Sequence, residues 1–349
     1  MPEFKSKKAD IIAVAKAARV SASTVSRYFN HPELLKPATR KRIESAVRKT
    51  GYIRNRAAQT IHGIRSATIG VLIPTLDHAI FAEVVQAFSD TVAEQGFTIL
   101  LASHGYDLER EYAILRKFLE HRVDGVVLTG LDHDAAVFQL IDSQQIPCVL
   151  MWNYAAGARY PSIGADNEEA GRMIAEHVIA LGHARVACMF PPTDGNDRAL
   201  ARRDIVYATL AAAGIAVPEP WQLTTVYSIS ESKEDATRLF AGTQRPTVLI
   251  CGNDILAMGA LYAAQASGLD VPGDISIVGI GDFKGASEIE PALTTVRLPA
   301  RRIGRKAGQL LAAMITAPGA EPVPGIDCAP ELIIRQSSGP PAKGEFLID

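Results

Sequence analysis

The sequence predicts an α/β protein in which a small three-helix region, of the helix-turn-helix type, precedes a larger two-lobed body with doubly wound parallel β-sheets. Three observations predict this class. The two ends of the chain differ in charge, residues 1–62 carry short helical patterns with capping residues, and the rest alternates apolar strand-like runs with amphipathic helical stretches. At 349 residues the chain is long enough for about two or three domains.

The net charge of −2 conceals two segments of opposite sign. Residues 1–62 contain 14 lysines and arginines against four acidic residues, a balance of +10. The remaining residues contain 22 basic and 34 acidic groups, a balance of −12. A basic N-terminal segment on an acidic body is typical of a head that binds nucleic acid.

The rest of the composition is that of an ordinary globular protein, with 48% hydrophobic and 21% charged residues. No apolar stretch approaches the roughly 18 residues of a membrane span, and the N-terminus lacks the apolar region of a signal peptide. The four cysteines are far apart and form no CxxC pair. We therefore expect a cytoplasmic protein with reduced thiols, without a metal, a cofactor or a membrane association. These features also exclude a secreted solute-binding protein.

The first two helices of the head are predicted at residues 10–18 and 22–29. Between them, Ser21 is well placed as an N-cap, because its hydroxyl can accept hydrogen bonds from amides of the following turn. Val25 and Phe29 lie four residues apart, which puts them on one face of the second helix. The short connection predicts a tight turn between two small helices.

A third helix is predicted at residues 39–52, with Ile43 and Val47 facing inward and Gly51 as the glycine that ends it. A helix, a short turn, a capped helix and a third helix make the helix-turn-helix pattern. In this pattern the second helix enters the major groove of DNA.

The second helix, within VSASTVSRYFN, is rich in hydroxyl groups and carries an arginine one turn from its start. The small side chains of Ala22 and Ser23 allow close approach to base edges and phosphates, and Arg27 can reach a guanine or a phosphate. The alternative is that the hydroxyls only cap the helix and Arg27 is a surface charge. The balance of +10 in the head favours the DNA-binding interpretation.

From Ala67 onward the pattern changes to buried parallel strands that alternate with amphipathic helices. The predicted strands are TIGVLIP (68–74), FTILLAS (97–103), VDGVVLTG (123–130), IPCVLMW (146–152), RVACMF (185–190), TVLICG (247–252) and DISIVGIG (274–281). The predicted helices lie at about 81–96, 110–122, 167–181, 200–213, 233–241, 254–267 and 301–315. Two successive units of this kind predict two lobes, with a cleft at the carboxyl ends of the strands.

An enzyme is the competing function class for such a body. GIGDFKG (279–285) is similar to a dinucleotide-binding fingerprint, but its third glycine comes one residue late. The sequence has no P-loop, no GxSxG elbow and no HExxH helix. We therefore expect a binding protein rather than an enzyme. The alternative is a small-molecule-binding α/β enzyme with an accessory DNA-binding head.

Three segments follow one another along the chain: VSASTVSRYFN, TRKRIESAVRKTGYIRNRAA and ATIGVLIP. In sequence and in order they resemble the lactose-repressor (LacI) family of bacterial transcription regulators. SHGYDLERE (103–111) and LTGLDH (128–133) are most similar to the gluconate-type repressors of that family. The resemblance implies a body of the periplasmic-binding-protein type I architecture. It also implies a repressor of a carbohydrate or sugar-acid operon. Such a repressor binds a pseudopalindromic double-stranded operator as a homodimer and is controlled by an effector between its lobes.

The resemblance assigns DNA contacts to the recognition helix, to the end of the third helix and to a short hinge helix. The residues are Ser21, Ala22, Ser23, Thr24, Ser26, Arg27, Asn30, Tyr52, Asn55, Ala58, Gln59 and Ile61. Three positions of the head depart from the family pattern: Arg19 replaces a turn glycine, Lys36 a capping serine and Arg54 a proline. In the hinge, Gln59 replaces an arginine, and Ile61 replaces the leucine that is wedged into the minor groove.

The resemblance also assigns the effector pocket, to Ile80, Phe81, Trp152, Asn153, Arg198, Arg202, Asn253 and Asp282. Trp152 stands where many members have an aspartate, and Gly281 replaces the first aspartate of a loop that usually has two. Losing two carboxylates while keeping both arginines favours an anionic effector, and a sugar acid such as gluconate is the first choice. For Trp152 and Phe81, packing between the lobes is the alternative role.

These assignments give the expected domain organisation. The DNA-binding head is 1–54, the hinge and linker 55–66, and the effector-binding and dimerisation domain 67–349. Within that domain we expect one lobe at about 67–165 and 296–326, and a second at about 166–295 and 327–349. The chain is expected to cross between lobes near Asp166, 293–299 and 325–330.

Overall fold

A computed structural model describes residues 9–54, 65–319 and 324–342. The chain divides after Ser66 into two compact units, a head and a body. The predicted hinge contacts lie outside the described residues; they are Asn55, Ala58, Gln59 and Ile61.

The head contains the three predicted helices. They are α1 (Ile11–Ala18), α2 (Ala22–Asn30) and α3 (Pro37–Thr50), and a 3₁₀ turn (Pro32–Leu34) lies between the last two. The third helix begins two residues earlier than predicted, because Pro37 occupies its first turn, where the missing amide hydrogen costs nothing. Lys36 precedes it and makes no side-chain capping bond.

Local capping rules set the ends of these helices. Ser21 Oγ accepts from the amide of Thr24 at 3.2 Å, which confirms the predicted N-cap. Gly51 ends α3 at a φ of 64°, as predicted. Arg19 adopts a left-handed φ of 54° in the turn, a conformation that costs a non-glycine residue about 1–2 kcal/mol. A small core around Val14, Val25 and Ile43 holds the three helices together.

The body contains twelve strands among its described residues. They are β1 (Thr68–Ile73), β2 (Thr98–Ser103), β3 (Gly125–Thr129), β4 (Cys148–Asn153), β5 (Ser162–Ala165), β6 (Val186–Phe190), β7 (Gln222–Thr224), β8 (Val248–Cys251), β9 (Ser276–Gly281), β10 (Thr294–Arg297), β11 (Ile326–Asp327) and β12 (Glu331–Ile333).

Nine helices of the body have described bounds, one of them 3₁₀. The eight α-helices are α4 (Ala79–Glu94), α5 (Leu108–Glu120), α6 (Ala135–Gln144), α7 (Asn167–Ala180), α8 (Asp197–Ala212), α9 (Ile229–Phe240), α10 (Asp254–Ala266) and α11 (Ala300–Thr316); the 3₁₀ helix is Glu219–Trp221. The seven predicted strands and seven predicted helices are present, with ends shifted by a few residues. The helix α6 and the short strands β5, β7, β10, β11 and β12 were not predicted.

The strands form two six-stranded sheets, one in each lobe. The first has the order β11-β5-β4-β3-β1-β2, and all of its strands are parallel. The second has the order β12-β10-β9-β8-β6-β7 and is parallel except for the antiparallel edge strand β12. The strand order changes direction between β1 and β3 in the first sheet, and between β6 and β8 in the second. The crevice at that point is where doubly wound sheets bind ligands.

Over its described residues, the body chain passes between the two lobes three times. It leaves the first sheet after β5, returns to the first lobe with α11 and crosses again between β11 and β12. Because β10 belongs to the second sheet, the return to the first lobe follows Arg297. One continuous hydrophobic cluster contains residues of both sheets, among them Val71 and Val278.

Candidate functional site

The recognition helix α2 presents its predicted DNA-contacting residues to solvent. Ser21, Ala22, Ser23, Arg27 and Asn30 are exposed, and Thr24 and Ser26 are half-buried. The opposite face carries Val25, which is fully buried in the head core. This division leaves a polar surface of small side chains that ends at an arginine and an asparagine, as major-groove readout requires.

Hydrogen bonds among the hydroxyl groups order the start of this surface. Ser21 Oγ lies 2.8 Å from both Ser23 Oγ and Thr24 Oγ1. A hydroxyl can donate and accept at once, so this cluster keeps unused capacity towards a phosphate or a base edge. The helix N-terminus adds its own amides and a partial positive charge.

Arg54 and Tyr52 play roles that the sequence did not reveal. The guanidinium of Arg54 lies 5.6 Å from the centre of the Phe29 ring and donates to the carbonyl of Phe29 at 3.3 Å. It also donates to Asn30 Oδ1, so one acceptor of this predicted DNA contact is already engaged. Tyr52 packs against the same Phe29 ring, with centroids 5.9 Å apart. Arg54 therefore ties the end of the head to the end of the recognition helix.

In the body, the candidate ligand site is a chamber at the carboxyl ends of the strands of both sheets. It encloses about 30 Å³. The lining residues lie in strands β4 and β9, in the loops after β1, β2, β7, β8, β9 and β10, or on helices α4 and α8; they are His78, Ile80, Phe81, Tyr106, Trp152, Arg198, Arg202, Tyr227, Asn253, Ile280, Phe283 and Leu298.

Six of the eight predicted effector residues line this chamber, namely Ile80, Phe81, Trp152, Arg198, Arg202 and Asn253. The structure does not place Asn153 or Asp282 among the lining residues. The side chain of Asn153 turns towards the contact between the lobes, where it donates to Asp197 at 2.9 Å.

Asp282 does not face the chamber because two arginines hold it. Its carboxylate accepts from Arg297 at 2.7 Å and from Arg335 at 2.6 Å. The glycine before it, Gly281, has a φ of 142°, and a Cβ there would lie 2.1 Å from the ring of Phe283. The loop is therefore shaped by close packing, and its one remaining aspartate serves the loop structure.

Trp152 combines a lining role with packing. It is 4% exposed, its ring centre lies 5.5 Å from that of Phe81, and its φ is 88°. A bulky residue in this backbone region is rare and is held by its surroundings. Gly164 of the neighbouring strand permits the conformation, because a Cβ there would lie 2.2 Å from the Trp152 backbone. Trp152 therefore lines the chamber and packs on Phe81 of the same lobe, while its binding of an effector stays a prediction.

The chamber is electropositive. Arg198 and Arg202 are 4% and 5% exposed, and Arg198 Nη2 and Arg202 Nε have no hydrogen-bond partner among the described residues. Among the described residues, the one carboxylate bonded to either of them is that of Asp197, 2.8 Å from Arg198 Nη1. Burial lowers the pKa of Arg202, but guanidinium groups stay protonated in proteins. Buried, uncompensated donors of this kind favour an anionic ligand.

Three aromatic residues that the sequence reasoning missed close the chamber on one side. His78, Tyr106 and Tyr227 border both this chamber and a wider outer cavity of about 420 Å³. The ring centres of His78 and Tyr227 are 4.7 Å apart, and those of Tyr106 and Tyr227 are 5.9 Å apart. Burial raises the pKa of Tyr106, so its hydroxyl stays protonated and can donate. Each aromatic follows the end of a strand by several residues, and strand prediction gives no signal at that distance.

In residues 9–54, 65–319 and 324–342 no group of three or more His, Cys, Asp or Glu side chains could hold a metal ion. Over the same part of the chain, every helix is too short or too polar to cross a bilayer.

Comparison with known proteins agrees with this architecture. Residues 10–55 match the model of the bacterial regulatory proteins of the lacI family, and residues 175–338 match a periplasmic binding protein-like domain. The chain is 31% identical to the HTH-type transcriptional repressor PurR of Erwinia tasmaniensis over 331 residues, which covers 94% of this chain and 96% of PurR.

Solved structures are similar over comparable lengths. The lac repressor dimer bound to operator and the anti-inducer ONPF is 25% identical, with a TM-score of 0.82, and the match covers 95% of this chain and 100% of that one. The transcription regulator GntR of Chromobacterium violaceum is 31% identical, with a TM-score of 0.73, over 78% of this chain and 99% of its own. With its helix-turn-helix head and effector-binding body, this DNA-binding transcriptional regulator belongs to the lacI family of bacterial regulatory proteins.

Proposed function

We propose that the protein represses a carbohydrate or sugar-acid operon and that an anionic small molecule, bound in the chamber between the lobes, controls its affinity for the operator. The observation that carries the proposal is the pair of buried arginines, Arg198 and Arg202. Each offers a guanidinium nitrogen without a partner among the described residues, in a chamber lined otherwise by Asn253 and by aromatic and aliphatic side chains. In a sugar acid, the carboxylate can pair with the arginines and the adjoining carbons can pack on Trp152. Because the chamber encloses only about 30 Å³, the rest of the carbon skeleton would extend past Tyr106 and Tyr227 into the outer cavity of about 420 Å³.

The similarity of SHGYDLERE and LTGLDH to gluconate-type repressors supports the same ligand class, and the structure brings these two motifs together. The ring of His133, from the second motif, lies 2.9 Å from the carboxylate of Glu111, from the first. Both side chains are buried. His133 Nε2 also lies 3.3 Å from the carbonyl of Gly130, beside the contact between the lobes. The two motifs therefore support the loop against which Arg198 packs.

At the DNA, we propose that the α2 surface reads one half-site per protomer and that a homodimer reads a pseudopalindrome. The proposed hinge contacts, Asn55, Ala58, Gln59 and Ile61, would add a minor-groove wedge at Ile61. The proposed division of the chain stays at 1–54, 55–66 and 67–349. A cytoplasmic location follows from this function, since the operator is there.

The test is a thermal-shift screen of the full chain against sugar acids, neutral sugars and purines. A ligand present at 100 times its dissociation constant stabilises the protein by about 2.7 kcal/mol, a shift that is easily measured. We expect D-gluconate or a related acid to raise the melting temperature and to change operator affinity in a gel-shift assay. A response confined to neutral sugars or to purines would refute the anionic effector.

A further inference from the structure

Two asparagines connect the ligand-facing arginine of the second lobe to the contact between the lobes. Asn167, at the start of α7, accepts a hydrogen bond from Arg202 Nη1 through its side-chain oxygen. Its amide nitrogen donates to Asn153 Oδ1 at 3.1 Å, and Asn153 Nδ2 donates to Asp197 Oδ2 at 2.9 Å. We call this sequence of hydrogen bonds, Arg202–Asn167–Asn153–Asp197, the relay.

The chemistry of its two ends fixes the direction of the relay. Arginine only donates and an ionised aspartate only accepts, so each asparagine must turn its oxygen towards Arg202 and its amide nitrogen towards Asp197. The first three residues of the relay, Arg202, Asn167 and Asn153, are 5–6% exposed. The side chain of Asp197 is 18% exposed. Hydrogen bonds aligned in one direction in a buried site polarise and strengthen one another.

The acceptor end of the relay lies at the contact between the lobes. Asp197 Oδ2 also accepts from the amide of Leu131 in the first lobe at 2.7 Å, and Arg198 Nη1 donates to the carbonyl of Thr129 at 3.3 Å. The approach is close: a Cβ at Gly130 would lie 2.5 Å from Arg198 Nη1. If the lobes separated, Asp197 would lose both Leu131 and Asn153 as donors. The relay would then lose its terminal acceptor.

We propose that Asn153 and Asn167 are positioning residues that make the orientation of Arg202, and hence its affinity for an anion, depend on the arrangement of the lobes. With Nη1 held by Asn167, the unpartnered Nε of Arg202 is fixed in the wall of the chamber. Coupling of this kind is reciprocal, so an anion on Arg202 stabilises the arrangement in which Asp197 holds Asn153 and Leu131. The inference rests on the proposed anionic effector, and it explains why Asn153 does not line the chamber.

Asn167→Ala and Asn167→Asp separate this role from simple packing. The alanine removes the acceptor from Arg202, while the aspartate keeps an acceptor, adds a negative charge beside the arginine and can no longer donate to Asn153. The control is Asp204→Ala on the same helix α8, because Asp204 is exposed and pairs with Arg203 outside the relay. Melting curves establish that each variant is folded.

The first measurement is hydrogen–deuterium exchange of the ligand-free full chain, read at the peptide that contains residues 129–133. We expect Asn167→Ala to raise exchange of the Leu131 amide, because Asp197 is then less firmly held, and Asp204→Ala to leave it unchanged. Parental exchange in Asn167→Ala would overturn the relay, whatever the protein binds.

The second measurement is calorimetric titration with D-gluconate as the probe. Coupling residues that do not touch a ligand change affinity by about twofold to 30-fold, and we expect Asn167→Ala to fall within that range. Asn167→Asp should bind more weakly still, because its charge competes with the anion. Equal affinity in the parent and both folded variants would refute the coupling. If the parent protein bound neither gluconate nor any other acid, the proposal of an anionic effector would be refuted. The exchange result would still decide whether the relay holds the lobes together.

Discussion

The head and the body of this protein bind their ligands with surfaces of opposite construction. The proposed recognition surface of the head is the solvent-facing side of a single helix and its N-cap, from Ser21 to Asn30, with a core of a few apolar residues behind it. The chamber of the body is buried and takes its lining from both lobes, from residues as far apart as His78 and Leu298.

The difference follows from what each region binds. DNA is large and highly charged, so exposed polar groups and positive charge suffice to read it, and water need not be fully excluded. A small anion offers few contacts, so a site with affinity for it must surround it and present donors that water does not satisfy. The proposed anionic effector would account for the burial of Arg198 and Arg202, whereas Arg27, the proposed DNA contact, is exposed.

The largest effect is expected from the core of the head. Ile43 is fully buried, and Ile43→Ala should cost about 2–5 kcal/mol of unfolding free energy. A region of this size has a total stability of the same order, so the head should unfold and operator binding should be lost. Ile12, which is 66% exposed, offers the control: Ile12→Ala should change stability by less than about 0.5 kcal/mol.

The measurement is a gel shift on operator DNA, together with calorimetry of the effector. If the two regions are as independent as their separate cores indicate, Ile43→Ala should leave effector affinity unchanged. Loss of effector binding in this variant would show that the head stabilises the chamber.

Removing one arginine that lines the chamber should have nearly as large an effect, confined to the body. Arg202→Ala should weaken binding of an anionic effector by about 2–5 kcal/mol, since truncating one partner of a buried charged pair costs that much. Arg203 is its neighbour and pairs with Asp204 at the surface, so Arg203→Ala is the matched control. We expect titration to show loss of effector binding in Arg202→Ala alone, with operator affinity kept. Equal losses in both variants would place the site elsewhere.

A smaller effect is expected at the recognition helix. Arg27→Ala should weaken binding to the operator by about 1–3 kcal/mol and relax its preference over random DNA, if Arg27 contacts a base. Arg48, which pairs with Glu44 at 2.7 Å on the outside of α3, provides the comparison. Arg48→Ala should weaken both DNAs alike or have little effect. Equal losses on operator and random DNA for both variants would leave Arg27 as a phosphate contact.

The smallest effect concerns pH, and it too should separate the regions. Burial lowers the pKa values of His78, His104, His177 and His183 in the body below their ordinary value of 6.5. The unfolded chain therefore takes up protons first as the pH falls, and the body should lose stability between about pH 7.5 and 6.

Asp254 acts in the opposite direction at lower pH. Burial raises its pKa to about 6, so its protonation favours the folded body between about pH 6 and 4. The body should consequently show a falling melting temperature from pH 7.5 to 6, followed by a weaker dependence. The described part of the head contains no buried histidine, so the melting temperature of the head should change little over this pH range. An equal fall in the melting temperatures of the head and of the body between pH 7.5 and 6 would contradict this account.

Much of the molecule could be predicted from sequence, because the rules that set it are local. The cap at Ser21, the terminal Gly51 and the inward Val25 depend on neighbours three or four residues away. The seven long strands were predicted for a similar reason, since a strand buried on both faces reads as an unbroken apolar run. The strands that were missed, such as Ser162–Ala165, have two to four residues and do not lie within a longer apolar run, so their pattern is too short to be recognised.

What the sequence by itself determined is the charged helix-turn-helix head, the two doubly wound sheets and the presence of arginines where their strands end. Only the tertiary structure decided how the polar groups of the body pair. Asp282 is held by Arg297 and Arg335, 15 and 53 residues away, and Asn153 is joined to Asp197, 44 residues away. Tyr106 and Tyr227 meet across the lobes. These partners are set by sheet register and by the close approach of the lobes, which act over distances along the chain that no local pattern records.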